Sequence, residues 1–157
     1  MIVLECASPD KRQLLENLLQ LYAYDFSEFA GDEISESGDY GFSRLLRYYW
    51  KDQDSEPFIV RVNGNIAGFV MVRRKRFNGV DYQSIAEFFV LKKYRKRGVG
   101  REVAQMVFKK FPGKWYVDVI QSNLPACAFW EKVIDDFTGE KYVKSGNSKD
   151  KTIFTFA

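Results

Sequence analysis

Residues 92–102 read "KKYRKRGVGRE". Six of the eleven are Lys or Arg, and two glycines, Gly98 and Gly100, sit among them. Before the stretch comes "DYQSIAEFFV", a nearly continuous apolar run that reads as a strand covered on both faces. After it, Val103, Met106, Val107 and Phe111 recur at helical spacing, until Pro112-Gly113 ends the pattern. The basic glycine stretch therefore joins the end of a strand to the start of a helix. A helix start presents unpaired N–H groups and partial positive charge, which suits a phosphate. Glycines there supply unusual backbone angles and leave room for an anion to approach. The spacing is neither G-x-x-x-x-G-K-[ST] nor G-x-G-x-x-G, so neither common nucleotide fingerprint is present.

The rest of the chain is read outward from that point. "IVLECA" alternates as a first strand. Ser8-Pro9-Asp10 starts a helix, with Ser8 as cap, and leucines and aromatics at helical spacing carry it to about Phe29. Residues 31–41 are an acidic loop, and "FSRLLRYYW" reads as a second helix capped at Ser43. "PFIVRV" and "IAGFVMVRRK" flank Asn63-Gly64-Asn65, a hairpin signal, and Asn78-Gly79 marks another turn. "KWYVDVI" is a strand, 123–133 a helix with Pro125 in its first turn, and "KTIFTFA" a last strand. This order predicts an α+β fold with a mostly antiparallel sheet flanked by helices. The strands on either side of the glycine loop and its helix form a βαβ unit and should be parallel neighbours.

At 157 residues the chain is expected to form a single domain, 1–157. Such a domain buries about 70% of its unfolded surface and needs no staples. There is no histidine, which excludes Ser-His-Asp and Cys-His mechanisms and His-ligated metals. Cys6 and Cys127 fit no metal-ligand spacing and read as two buried, reduced thiols of a cytoplasmic protein. No signal peptide and no membrane span are read from the sequence. Net charge is +3, too small to argue for nucleic acid by itself. Its distribution is uneven: Asp25, Glu28, Asp32, Glu33, Glu36 and Asp39 face no basic residue between 25 and 39, whereas 73–76 and 92–101 are basic.

The pattern Arg95-x-x-Gly98-x-Gly100, with Tyr94 before it and Val99 between the glycines, resembles the acyl-CoA-binding motif of the GNAT superfamily of N-acyltransferases. That motif reads Arg/Gln-x-x-Gly-x-Gly/Ala. Downstream, Asn123, Ala126, Phe129 and Lys132 match the family's second motif, Asn-x-x-Ala-x-x-Phe/Leu-Tyr-x-Lys. The resemblance covers roughly residues 57–133. It implies a GNAT-like sheet with a splayed parallel strand pair, 84–91 and 115–120, and acetyl-CoA as co-substrate. It places the CoA pyrophosphate on the backbone of Arg95, Lys96, Arg97, Gly98, Val99 and Gly100, with Arg101, Asn123, Phe129 and Trp130 also in the cofactor set. The backbone at Phe89, Val90 and Leu91 would pair with the pantetheine arm and aim one N–H at the thioester oxygen.

Acyl transfer to an amine also needs a base, because an alkyl ammonium with pKa about 10 is not a nucleophile at pH 7. Glu87, interrupting the apolar strand, is the best-placed carboxylate; a Glu at a strand edge, or one paired with a nearby Arg, is the alternative. Asp118 is a second candidate. Where the family usually carries the tyrosine acid, this chain has Trp130, and an indole N–H is not an acid near pH 7. Tyr142, Tyr116 and Cys127 are the candidate substitutes, with Cys127 read first as a packed core residue. Departure of the thiolate without a positioned acid, and acyl-CoA binding without turnover, stay open beside them. The acidic stretch favours a cationic amine acceptor or is a solvated loop. Neither nucleic acid nor membrane is expected as a partner, a nucleic-acid-binding domain being the distant alternative; a homodimer is among the allowed assemblies.

Overall fold

The computed structural model describes residues 1–41, 46, 50, 51, 53–146 and 149–157. The strands are β1 (Ile2–Cys6), β2 (Ser55–Val62), β3 (Asn65–Phe77), β4 (Val80–Val90), β5 (Trp115–Ile120), β6 (Val143–Gly146) and β7 (Lys151–Phe156). The helices are α1 (Arg12–Ala30), α2 (Val99–Lys110) and α3 (Leu124–Thr138). The strands form one sheet in the order β1-β2-β3-β4-β5-β7-β6. The fold is α+β, mostly antiparallel, with β4 and β5 the parallel pair. That pairing joins Gln83 to Trp115 and Ser84 to Tyr116. Among the described residues no helix is long and apolar enough to cross a membrane.

By contacts the chain divides into two compact units, Met1–Met71 with Glu87–Lys93, and Val72–Ala86 with Tyr94–Ala157. In the first, β1 and β2 are antiparallel from Ile2↔Val62 to Cys6↔Phe58. Leu15, Leu18, Leu19 and Ala23 of α1 are buried, as are Phe58, Ile59 and Val60 of β2 and Ala67, Phe69, Val70 and Met71 of β3. The α1 residues follow the 3–4 spacing expected of a helix with one buried stripe. In the second unit, Val103, Ala104, Val107 and Phe108 of α2 are buried, together with Trp115 and Tyr116 of β5 and Ile153 and Phe154 of β7. Phe108 lies edge-on to Trp115 and Phe156, with ring centroids 4.9 and 5.0 Å away.

Several expectations are refined. Pro9–Lys11 forms a single 3₁₀ turn before α1, and Ser8 makes no side-chain cap. Its hydroxyl donates instead to the Asp10 carboxylate. The expected helix over "FSRLLRYYW", with its cap at Ser43, falls on residues 42–45 and 47–49, outside the described residues. Within that stretch Leu46 is fully buried, and Trp50 Nε1 donates to the Ala7 carbonyl at 2.8 Å. Both hairpin turns form, with Asn63-Gly64 and Asn78-Gly79 all at positive φ. Helix α3 runs five residues beyond the expected end at Val133, because Ile134 and Phe137 continue the apolar stripe begun by Trp130 and Val133. Strand β6 adds to the expected set. Its four residues, Val143–Gly146, are all exposed and pair only with β7, so they carry no apolar signal.

Candidate active site

The glycine loop, which enters the second unit at Tyr94, lies between β4 and α2 as the sequence predicts. A 3₁₀ turn, Lys92–Tyr94, ends in the buried Tyr94, and α2 then starts at Val99. Gly98 is the N-cap, at φ 78° and ψ −1°, and no side chain caps the helix. The first helical hydrogen bond runs from Glu102 N–H to the Gly98 carbonyl at 3.0 Å. The N–H groups of Val99, Gly100 and Arg101 thus precede the helical ladder and receive no capping side chain. Lys96 also takes a left-handed conformation, at φ 60°. Left-handed residues of this kind are found in the turns whose successive backbone N–H groups form anion-binding nests. Arg97 and Lys96 are exposed and Arg95 half-buried. Val99, expected to touch the cofactor, is buried on the helix's apolar face, and Arg101 pairs with Asp136 of α3 at 3.2 Å.

The second motif lies on α3. Asn123 is its N-cap, its Oδ1 accepting the Ala126 N–H at 3.1 Å. Phe129 is half-buried, 5.0 Å ring to ring from Trp130. Trp130 keeps only 6% of its surface, tilted against Phe108 at 6.4 Å. The residue standing where the family's tyrosine is usual is therefore a core indole.

Burial raises the pKa of each alternative acid. The Tyr116 phenol is pushed up to about 12 by burial and by the Asp118 charge, and it donates to Asp118 Oδ2 at 3.3 Å. Cys6 is exposed and Cys127 half-buried, so the two thiols are not both core residues; the Cys127 thiol is pushed up by burial and points at the Ile120 carbonyl, 3.5 Å away. Tyr142 is raised by desolvation and by Glu131 and Asp135; its hydroxyl donates to Glu131 Oε1 at 3.5 Å. All three groups are protonated at neutral pH. Asp118, the second base candidate, is engaged by Lys151 at 3.5 Å as well as by Tyr116.

The first unit holds the expected base. Glu87 is half-buried on β4, and its Oε2 accepts the Tyr22 hydroxyl of α1 at 2.5 Å. Tyr22 stacks on Phe26 at 5.7 Å and meets Phe69 and Phe89 edge-on at 5.6 and 5.7 Å. The sequence suggests an Arg as the alternative partner for Glu87; the partner in this hydrogen bond is a phenol. By sequence Tyr22 is only one of several core aromatics, because a bond spanning 65 residues leaves no local signal. Of the expected pantetheine segment, Phe89 and Val90 are buried, and the Leu91 N–H donates to the Ala67 carbonyl at 2.8 Å. Lys92, its side chain exposed, lies 3.9 Å from the Asp25 carboxylate on α1. In the acidic loop, Asp39 accepts from Ser35 and Ser37, which hold its carboxyl below the usual range. Gln20 clamps the loop's end, donating to the Tyr40 carbonyl and accepting its N–H, both at 2.7 Å.

The acetyltransferase (GNAT) family profile matches residues 15–134. A peptidyl-lysine N-acetyltransferase of Escherichia coli K12, YiaC, is 26% identical over 106 residues, covering 61% of this chain and 67% of that protein. Among solved structures, an acetyltransferase from Thermus thermophilus superposes with a TM-score of 0.76 at 15% identity, over 99% of this chain and 96% of that one. The PaiA N-acetyltransferase of Thermoplasma acidophilum, in complex with coenzyme A, gives 0.66 at 13% identity, over 99% and 98%. A profile matched over most of the chain, agreeing with the glycine-capped helix and the parallel β4–β5 pair, shows that this protein belongs to the acetyltransferase (GNAT) family.

Proposed function

We propose that this protein transfers an acetyl group from acetyl-CoA to a primary amine by direct attack, as a single catalytic domain. The observation that carries the proposal is the uncapped start of α2, with Gly98 left-handed and three cations, Arg95, Lys96 and Arg97, beside it. A pyrophosphate fits there: the backbone N–H groups take its oxygens and the helix dipole and cations balance its charge. Phe89 and Val90 would hold the pantetheine arm by their peptide groups and polarise the thioester oxygen.

Glu87, directly or through water, takes a proton from the acceptor's ammonium. The amine nitrogen then bonds to the thioester carbon, the C–S bond breaks with the sulfur pair leaving as thiolate, and the nitrogen sheds its second proton to water, from which Tyr142 recovers the proton it gives up. Tyr142 is protonated at neutral pH and is the phenol proposed to return a proton to it. The net change is one amide and one CoA thiol formed, with one proton released. Tyr22 orients Glu87 by its hydrogen bond. A cationic acceptor is favoured by the exposed Asp32, Glu33 and Glu36 and by the lysine substrate named for the Escherichia coli relative. A lysine side chain or a polyamine fits that description.

Calorimetric titration with acetyl-CoA, followed by thiol release against a panel of amines, tests the proposal. Saturable binding and amine-dependent release are expected. No binding would overturn the reading. Binding without release across the panel would favour a second one, an acyl-CoA-binding protein with little turnover, for which the core placement of Trp130 is the specific observation.

A further inference from the structure

We infer that Gly68, in β3, is a positioning residue for the acyl-transfer site. The inference rests on the acyltransferase reading above. Gly68 has no unusual backbone angle to explain it; its need is space. A Cβ placed there would lie 1.9 Å from the Phe89 carbonyl oxygen, 2.9 Å from the Phe89 carbonyl carbon and 3.1 Å from the Val90 Cα. All three are backbone atoms, so no side chain can swing aside. An ordinary C···O approach is roughly 3.3 Å. Any side chain at position 68 must therefore push the Phe89–Val90 peptide, or be pushed by it, through more than an ångström.

That peptide is the segment assigned to the pantetheine arm and the thioester oxygen. One residue on, the Leu91 N–H is pinned to the Ala67 carbonyl. Two residues before, Glu87 is held by Tyr22. Gly68 thus sits against the middle of a segment fixed at both ends. Glycine inside a strand normally weakens it and marks a close approach of another backbone. Here the backbone approached is the one that has to be placed for catalysis. A displacement of about 1 Å at a reacting centre can lose roughly 100-fold in rate.

The test is Gly68→Ala in the full chain, read by kcat and by two affinities. One ligand is acetyl-CoA; the other is the 3′-phosphorylated ADP fragment, which keeps the pyrophosphate and lacks the arm. The expected result is fragment affinity within twofold of wild type, acetyl-CoA affinity weakened about tenfold, and kcat lowered about 100-fold. A general packing defect would weaken both ligands together and would overturn the inference. So would acetyl-CoA affinity and kcat both within twofold of wild type. Should the variant fail to fold, the wild-type chain decides by NMR. The Gly68 amide should shift on addition of acetyl-CoA and not of the fragment, and an unmoved amide overturns the inference. A wild-type chain that binds no acetyl-CoA fails the acyltransferase reading itself; one that binds, beside a variant that matches it, fails only the role of Gly68.

Discussion

Gly98→Ala isolates the backbone contribution of the glycine loop. Gly98 sits at φ 78°, and a Cβ there meets no atom within 4 Å. Crowding is therefore absent, and the penalty is that of placing an L-residue in the left-handed region, about 1–2 kcal/mol. That energy appears in one of two places. If the loop keeps its shape, stability falls by this amount, and at about 2–4 °C per kcal/mol for a chain of this size the melting point drops by about 2–8 °C. If the loop instead relaxes, the melting point holds and acetyl-CoA affinity falls by roughly 5–30-fold. Thermal melts and calorimetry on the same preparation read both terms. Gly98→Asn should lose less than Gly98→Ala, because asparagine tolerates this conformation. Gly98→Glu should lose the most affinity, because it adds a carboxylate where the pyrophosphate is proposed to sit. A Gly98→Ala chain with an unchanged melting point and unchanged affinity would refute the argument, as would asparagine and alanine behaving alike.

Three other perturbations follow from the same geometry. Lys96→Gly relieves the left-handed strain at φ 60°. After the entropy of an added glycine is subtracted, it should stabilise by about 0.5–1 kcal/mol, seen as a small rise in melting point; a fall would mean the strain is absent. Tyr22→Phe keeps the ring among Phe26, Phe69 and Phe89 and deletes only the hydroxyl that Glu87 accepts. With about 1.5 kcal/mol for a hydrogen bond to a charged group, kcat should drop about tenfold while acetyl-CoA affinity holds. An unaltered kcat would remove Tyr22 from the proposed mechanism. Tyr116 ionises at about 12 when folded against an ordinary value of 10.0. The unfolded chain thus loses this proton first, and the stability the neutral phenol contributes is complete below pH 10 and lost as pH rises toward 12. Denaturant melts from pH 9 to 11.5 should show a shallower alkaline decline for Tyr116→Phe than for wild type; parallel declines would contradict the shift.

What is legible in the sequence is local. Asn63-Gly64 and Asn78-Gly79 announce their turns because few residues accept positive φ. Gly98, at φ 78°, announces the helix start for the same reason, whereas Gly100 lies inside the helix without a positive φ; the apolar periodicity of α1 and α2 places buried residues on each helix. What is not legible depends on distant partners. The Tyr22–Glu87 bond joins α1 to β4, and the crowding at Gly68 exists only once β3 lies against Phe89. Strand β6 is exposed at every position, and its pairing with β7 comes from backbone groups that every residue carries. The spacing of α2 points to Met106 and Phe111, whereas Ala104 and Phe108 are the residues buried beside Val103 and Val107. Spacing alone does not fix which side of a short helix the core lies on.

Trp130 bears on how much acid catalysis this site requires. The indole is in the core, so the position usual for the family's tyrosine supplies no proton. The remaining groups are weak acids: Tyr116 is at about 12, and Cys127 and Tyr142 are both raised by burial. A thiol with an ordinary pKa of about 8.5 nevertheless leaves readily as a thiolate near pH 7. An alkyl ammonium at about 10.4 holds its proton far more tightly and cannot attack until it is removed. The two proton transfers are therefore unequal in difficulty, and the harder one falls to the base. The chain's side chains match that asymmetry. Glu87 accepts a short hydrogen bond from a phenol that packs among Phe26, Phe69 and Phe89, whereas the Tyr142 hydroxyl makes a longer one, to Glu131 at 3.5 Å, with its ring 5.9 Å from that of Phe154. A tryptophan where the family's tyrosine is usual thus bears on the less demanding step, and the proposed acyl transfer is compatible with it.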